Sequence, residues 1–125
     1  MDHHKLVLPE HINHYGFLFG GYLLQWIDEF AWITAAVDYP GCRFVTVAMK
    51  DVQFRRRIAL GEVLRFAVER LAQGRTSVEY GIRAYGLVVE EDPAVVLFET
   101  AITFVNVDVD GRKTPLPPQA AGGRP

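Results

Sequence analysis

Cys42 is the single cysteine of this 125-residue chain, which excludes an internal disulfide and any multi-thiolate metal site. Lysine is scarce too, three against ten arginines, and a formal net charge of −2 gives no basic excess suited to nucleic acid. No apolar run reaches about 18 residues before Asp28, Glu29 or a threonine interrupts it, so no membrane span is expected. The start, Met1-Asp2-His3-His4-Lys5, lacks the basic and apolar regions of a signal peptide. Together with the lone thiol this favours a cytoplasmic protein. There is no internal repeat.

What is present is an ordinary globular composition, half of it hydrophobic, enough for one modest core. A short strand is expected near Lys5–Leu8, a loop over Pro9–Phe19 and a helix from about Gly20 to Val37, stopped by Asp38-Tyr39-Pro40-Gly41. That helix is apolar nearly all round, as in helices wrapped by the rest of a protein. Val45–Phe54 reads as a strand. Leu64, Phe66 and Val68 alternate with Arg65, Ala67 and Glu69, and Val78, Tyr80 and Ile82 alternate beyond a Gln73-Gly74-Arg75 turn. After a turn at Glu90-Glu91-Asp92-Pro93, Val95–Val107 reads as the last strand. One helix and about five strands predict an α+β fold, a curved antiparallel sheet wrapped around the helix. Residues 1–113 form this domain, and the Pro-, Gly- and Ala-rich stretch 114–125 is expected to be extended or disordered. The exposed sheet edges argue for a two-fold dimer that joins them.

The chemistry gathers at Asn13-His14-Tyr15-Gly16-Phe17-Leu18-Phe19-Gly20-Gly21, where a glycine pair opens the helix, and at Asp28 two turns inside it. Nothing structural in such a helix requires an acid, and a buried carboxylate costs several kcal/mol, roughly, unless it is paired or used. Within about 60° of Asp28 on the helix lie Gly21, Leu24, Ala31, Trp32 and Ala35, whereas Glu29 faces Tyr22, Trp32, Ile33 and Ala36. The smaller residues select Asp28 over Glu29. Burial raises a carboxyl pKa and hydrogen bonds lower it, and a modest net rise suits a base for water. The open amides at Gly20 and Gly21 can polarise a carbonyl and hold an oxyanion. No second acid accompanies them. A thiol, with a pKa of about 8.5, leaves without one, so a base and an oxyanion hole suffice to hydrolyse a thioester.

These residues resemble the hotdog-fold acyl-CoA thioesterases, the bacterial broad-specificity and brain-type acyl-CoA hydrolase group. The resemblance rests on Asn13, Gly16, Phe19, Gly20, Gly21 and Asp28, on Val45-Thr46-Val47 with Phe54 and Gly61-Glu62, on Gly74-Arg75-Thr76-Ser77, and on Phe104-Val105-Asn106-Val107-Asp108. It implies a five- or six-stranded sheet around one long central helix, with active sites between two subunits and no cofactor or metal. It further implies that Asp28 activates water, that Asn13 orients thioester or water, that Arg75 and Ser77 touch CoA, that Arg56 meets its phosphates and that Thr46 approaches from the partner subunit. A homodimer is the minimum, and a hexamer of three dimers fits the resemblance. His11, Tyr15 and Arg57 depart from the family pattern.

Two other functions compete. A hotdog hydratase or dehydratase would pair His11 or His14 with Asp28, and a non-catalytic module would bind acyl-CoA without turnover. The histidines three apart invite a metal reading, but no carboxylate or thiol joins them at ligand spacing. Asp108-Val109-Asp110-Gly111 begins like a calcium loop, lacks the closing Glu, and reads as a turn. The Arg55-Arg56-Arg57 cluster is either a solvated strand end or a phosphate clamp.

Overall fold

The computed structural model describes residues 1–88, 92 and 94–118. The turn expected at Glu90–Pro93, Asp92 apart, and residues 119–125 of the expected tail lie outside the described residues. Strand β1 (Asp2–Leu6) is followed by a 3-10 turn at Pro9–His11, helix α1 (Gly20–Asp38), and strands β2 (Phe44–Met49), β3 (Val63–Gln73), β4 (Ser77–Gly86) and β5 (Val96–Asn106). All four pairings are antiparallel, in the order β1-β3-β4-β5-β2, so β1 and β2 are the edges. The helix packs against β2, β3, β4 and β5.

Helix α1 forms because its buried side chains recur at the helical period: Leu23, Trp26, Ile27, Phe30, Ala31, Thr34 and Ala35. Phe66 of β3 is their hub, with ring centres 6.5 Å from Trp26, 5.0 Å from Phe30 and 5.8 Å from Phe98. Each such side chain contributes roughly 1.5–3 kcal/mol by leaving water, and Phe66→Ala would cost about 3–5 kcal/mol. Pro40 prevents a further turn of helix. Asp38 at its end accepts a hydrogen bond from Tyr80 at 2.6 Å. Burial first, then that carboxylate, holds the Tyr80 phenol above its ordinary range.

Three expectations are corrected. The first strand starts earlier, at Asp2, and ends at Leu6, because the Pro9 turn takes up the following residues. The second strand ends at Met49 rather than Phe54, since Asp51–Ile58 leave the sheet to pack at its rim. The helix is not wrapped on all sides: Leu24 and Trp32, each 42% exposed, and Val37 face outward from the single chain. Val45 and Val47 of edge strand β2 are exposed as well.

Residues 114–118 form no regular element and are held down. The Thr114 amide donates to Asn106 O and the Leu116 amide to Arg75 O, while Leu116 packs against the core.

Candidate active site

Asp28 lies where the outward face of α1 meets edge strand β2. The Thr46 hydroxyl donates to its Oδ1 at 2.6 Å. Thr46 immediately precedes a bulge, because the β2–β5 register slips between Thr46 and Ala48. Bulges re-aim strand side chains and are common beside active sites. Thr46 thus reaches Asp28 from the same chain, not from a partner subunit as the resemblance implied. Nor is Asp28 sequestered: it is half-buried, because the sheet ends at β2 and leaves this side of the helix uncovered. Ala31 and Ala35, expected to give it room, point into the core, and its outward neighbours one turn away are Leu24 and Trp32. Glu29 is exposed.

A second constellation surrounds the start of α1. A cleft of about 680 Å³ is lined by Asn13, Tyr15, Phe17, Leu18, Gly20, Leu23, Phe54, Arg56, Arg57 and Ile58. Its two walls are stitched together. Leu18 N–H donates to Ile58 O at 2.7 Å, Phe17 bridges to Ala59, and the Arg57 guanidinium lies 5.0 Å from the Phe17 ring. Asn13 shapes the loop: its Oδ1 accepts from the amides of Tyr15 at 2.9 Å and Phe17 at 3.2 Å. Two N–H donors on one atom fix that atom as the oxygen, so the side-chain NH2 is the part left for a ligand. Gly16, at φ +89°, closes the turn in a conformation other residues rarely adopt.

No side chain caps α1, so the amides of Gly20 and Gly21 are open in the way helix N-termini leave them. The Phe19 ring lies over Gly21, where a Cβ would stand 2.8 Å from it. Glycine there is what lets the ring cover the helix start.

Arg56 is not a free phosphate clamp. Its guanidinium binds Glu62 with two hydrogen bonds, 3.0 and 2.8 Å, and Glu62 is 3% exposed. Glu62 also accepts from the Ala59 amide at 2.6 Å. The pair braces the 54–62 wall of the cleft. Gly61-Glu62 entered the sequence argument only through the family resemblance, although an acid five positions beyond an arginine run was itself a signal for this pair.

Arg75 and Ser77 sit at the β3–β4 turn, beside the C-terminal end of α1, where Tyr39 bonds Gln73. About 27 Å of helix separates that end from Gly20. Arg75 is exposed, and its turn is fixed by Leu116 N–H on Arg75 O and Asn106 N–H on Thr76 O. Asp28 with Thr46, Asn13 with Gly20 and Arg56, and Arg75 with Ser77 are therefore three separate groups in one chain.

The histidines are otherwise engaged. His11 is buried against Tyr22 and Trp26, and its Nδ1 accepts from the Leu8 amide at 3.0 Å. His14 is exposed, its ring tilted against that of Tyr15. Asp108 Oδ1 holds its own turn by accepting from Asp110 and Arg112 amides.

A model of the thioesterase superfamily matches residues 15–87. The chain is 40% identical over 88 residues to acyl-coenzyme A thioesterase 11 of Mus musculus, which is 70% of this chain and only 14% of that longer protein. It is 32% identical over 117 residues to the acyl-CoA thioester hydrolase YciA of Salmonella typhimurium, covering 91% of this chain and 87% of the relative. Among solved structures, the hexameric thioesterase y2039 of Yersinia pestis matches with a TM-score of 0.84 at 27% identity, covering 93% of each chain.

Proposed function

The chain belongs to the thioesterase superfamily, and from that premise we propose that it hydrolyses acyl-CoA to a free carboxylic acid and CoA, with Asp28 activating the water. The observation that carries this reading is the Asp28 carboxylate, held by the Thr46 hydroxyl at 2.6 Å on a helix face that its own chain leaves open.

Asp28 accepts a proton from water as the water oxygen bonds to the thioester carbonyl carbon. The carbonyl oxygen becomes an oxyanion, which the Gly20 and Gly21 amides stabilise at the helix start. Collapse of this intermediate breaks the carbon–sulfur bond, CoA leaves as thiolate, and the proton on Asp28 returns to it or to solvent. Asn13 contributes the NH2 that its loop does not use. Thr46 donates to Asp28 and leaves the second carboxylate oxygen for water. Arg75, exposed at its fixed turn, and Ser77 contact the CoA moiety; Arg56 acts by bracing the cleft wall.

One chain does not complete this site. Asp28 follows Gly21 by seven residues, about 10 Å along the axis, with Leu24 between them on the same face. The cleft that begins at Gly20 includes neither Asp28 nor Thr46. Two chains with their helices antiparallel supply each other's missing half, and such a dimer covers Leu24, Val45 and Val47. The Yersinia relative is hexameric, and three such dimers are the assembly proposed here. No described helix is long and apolar enough to cross a membrane. The cytoplasm is proposed as its compartment, consistent with the free Cys42.

The test is release of CoA thiol from acyl-CoA, followed with a thiol-reactive dye. Asp28→Asn should lose about 10² or more in kcat. Full turnover by that variant removes the base.

A further inference from the structure

We propose that Trp32 of one protomer forms the outer wall of the acyl cleft of its partner and so decides which acyl chains are accepted. The inference deepens the thioesterase reading and rests on it. Trp32 follows Asp28 by one helical turn on the same outward face. It is a large aromatic ring left 42% exposed, yet its orientation is set, because the indole N–H donates to Phe44 O at 3.2 Å. A ring fixed this way and not used by its own core is a preformed contact surface.

The register of the dimer says what it contacts. If Asp28 of each chain stands opposite Gly20 or Gly21 of the other, the two-fold axis passes at Leu24. A step of one turn beyond Asp28, to Trp32, then runs past Gly20, the first residue of the partner's helix, at the end where the approach loop joins it. That loop supplies Tyr15, Phe17 and Leu18 to the cleft. The cleft starts where the carbonyl oxygen is held and continues along Phe17, Leu23, Phe54 and Ile58, an apolar path for a tail. It is open to solvent in the single chain. Trp32 closes it, and tails that end against the indole fit best.

The experiment measures kcat/KM for straight-chain acyl-CoA substrates of increasing length with Trp32→Phe, Trp32→Leu and Trp32→Ala, each first checked for wild-type oligomer size. The ratio of long-chain to short-chain kcat/KM should rise as the side chain shrinks, by about tenfold or more in Trp32→Ala, while Trp32→Phe keeps the wild-type profile. If Trp32→Ala does not assemble, Trp32→Leu carries the test. A profile unchanged in shape, or one lowered equally at every length, overturns the proposal. Loss of the hydrolase reading itself would show differently, as Asp28→Asn retaining activity.

Discussion

The Thr46 hydroxyl and the Asp28 carboxylate meet at 2.6 Å across the seam between the sheet's edge strand and its helix. A hydrogen bond to a charged group is worth about 1.5–3 kcal/mol. Thr46→Val should therefore lower kcat roughly 10- to 100-fold with little change in stability, since the site is open to water. Thr46→Ser should restore most of the rate. Steady-state kinetics of the two variants side by side would check the role, and a loss in Thr46→Ser with full rate in Thr46→Val would assign it to the methyl group instead.

Arg56 and Glu62 make a different kind of pair, doubly hydrogen-bonded, with the Glu62 carboxylate buried and the Arg56 guanidinium partly exposed. Removing Arg56 leaves the buried Glu62 carboxylate with only the Ala59 amide, so Arg56→Ala should cost about 1–3 kcal/mol in urea unfolding. A variant of unchanged stability but raised KM for acyl-CoA would return Arg56 to the role of phosphate ligand.

Arg75 is a cation on a turn whose backbone is tied down from outside. Arg75→Ala should raise KM for acyl-CoA about tenfold. The same acyl group on pantetheine, which lacks the nucleotide, should be hydrolysed as before, with protein stability unchanged. Equal effects on both substrates would place Arg75 away from the nucleotide.

His3 stacks on Phe30 at 4.7 Å and its Nε2 lies 3.1 Å from Thr34 Oγ1. Burial, followed by the neighbouring N-terminal ammonium, lowers its pKa from 6.5. The unfolded chain thus takes up this proton at a higher pH than the folded one. The stabilising contribution is complete above about pH 6.5 and is lost as pH falls through the folded pKa. Urea midpoints measured between pH 7.5 and 5 should decline less steeply in His3→Phe, which keeps the stacked ring without the titration. Identical slopes would remove His3 as a source of the pH dependence.

Much of the fold was legible because local chemistry and tertiary structure agree. The Gly20–Gly21 start, the apolar stripe and the Pro40 stop delimit α1 to within one residue, and period-two alternation marks β3 and β4. Val52 and Phe54 misled, because a rim segment packed on one side has the same composition as a strand. Whether Asp28 is covered depends on where the sheet stops, which no residue near position 28 encodes. Nor does the sequence say which of three consecutive arginines turns inward: Arg56 does so because Glu62 lies behind it, while Arg57 finds the Phe17 ring.

The separation of Asp28 from the cleft at Gly20 means that two different lesions, brought together in one proposed dimer, need not leave it dead. Chains lacking the carboxylate and chains with a blocked glycine, each inert by itself, should regain activity when unfolded together and allowed to reassociate. Every mixed pair would contain one intact pocket and one doubly defective one. In a cell carrying both alleles, the two faults would complement rather than compound.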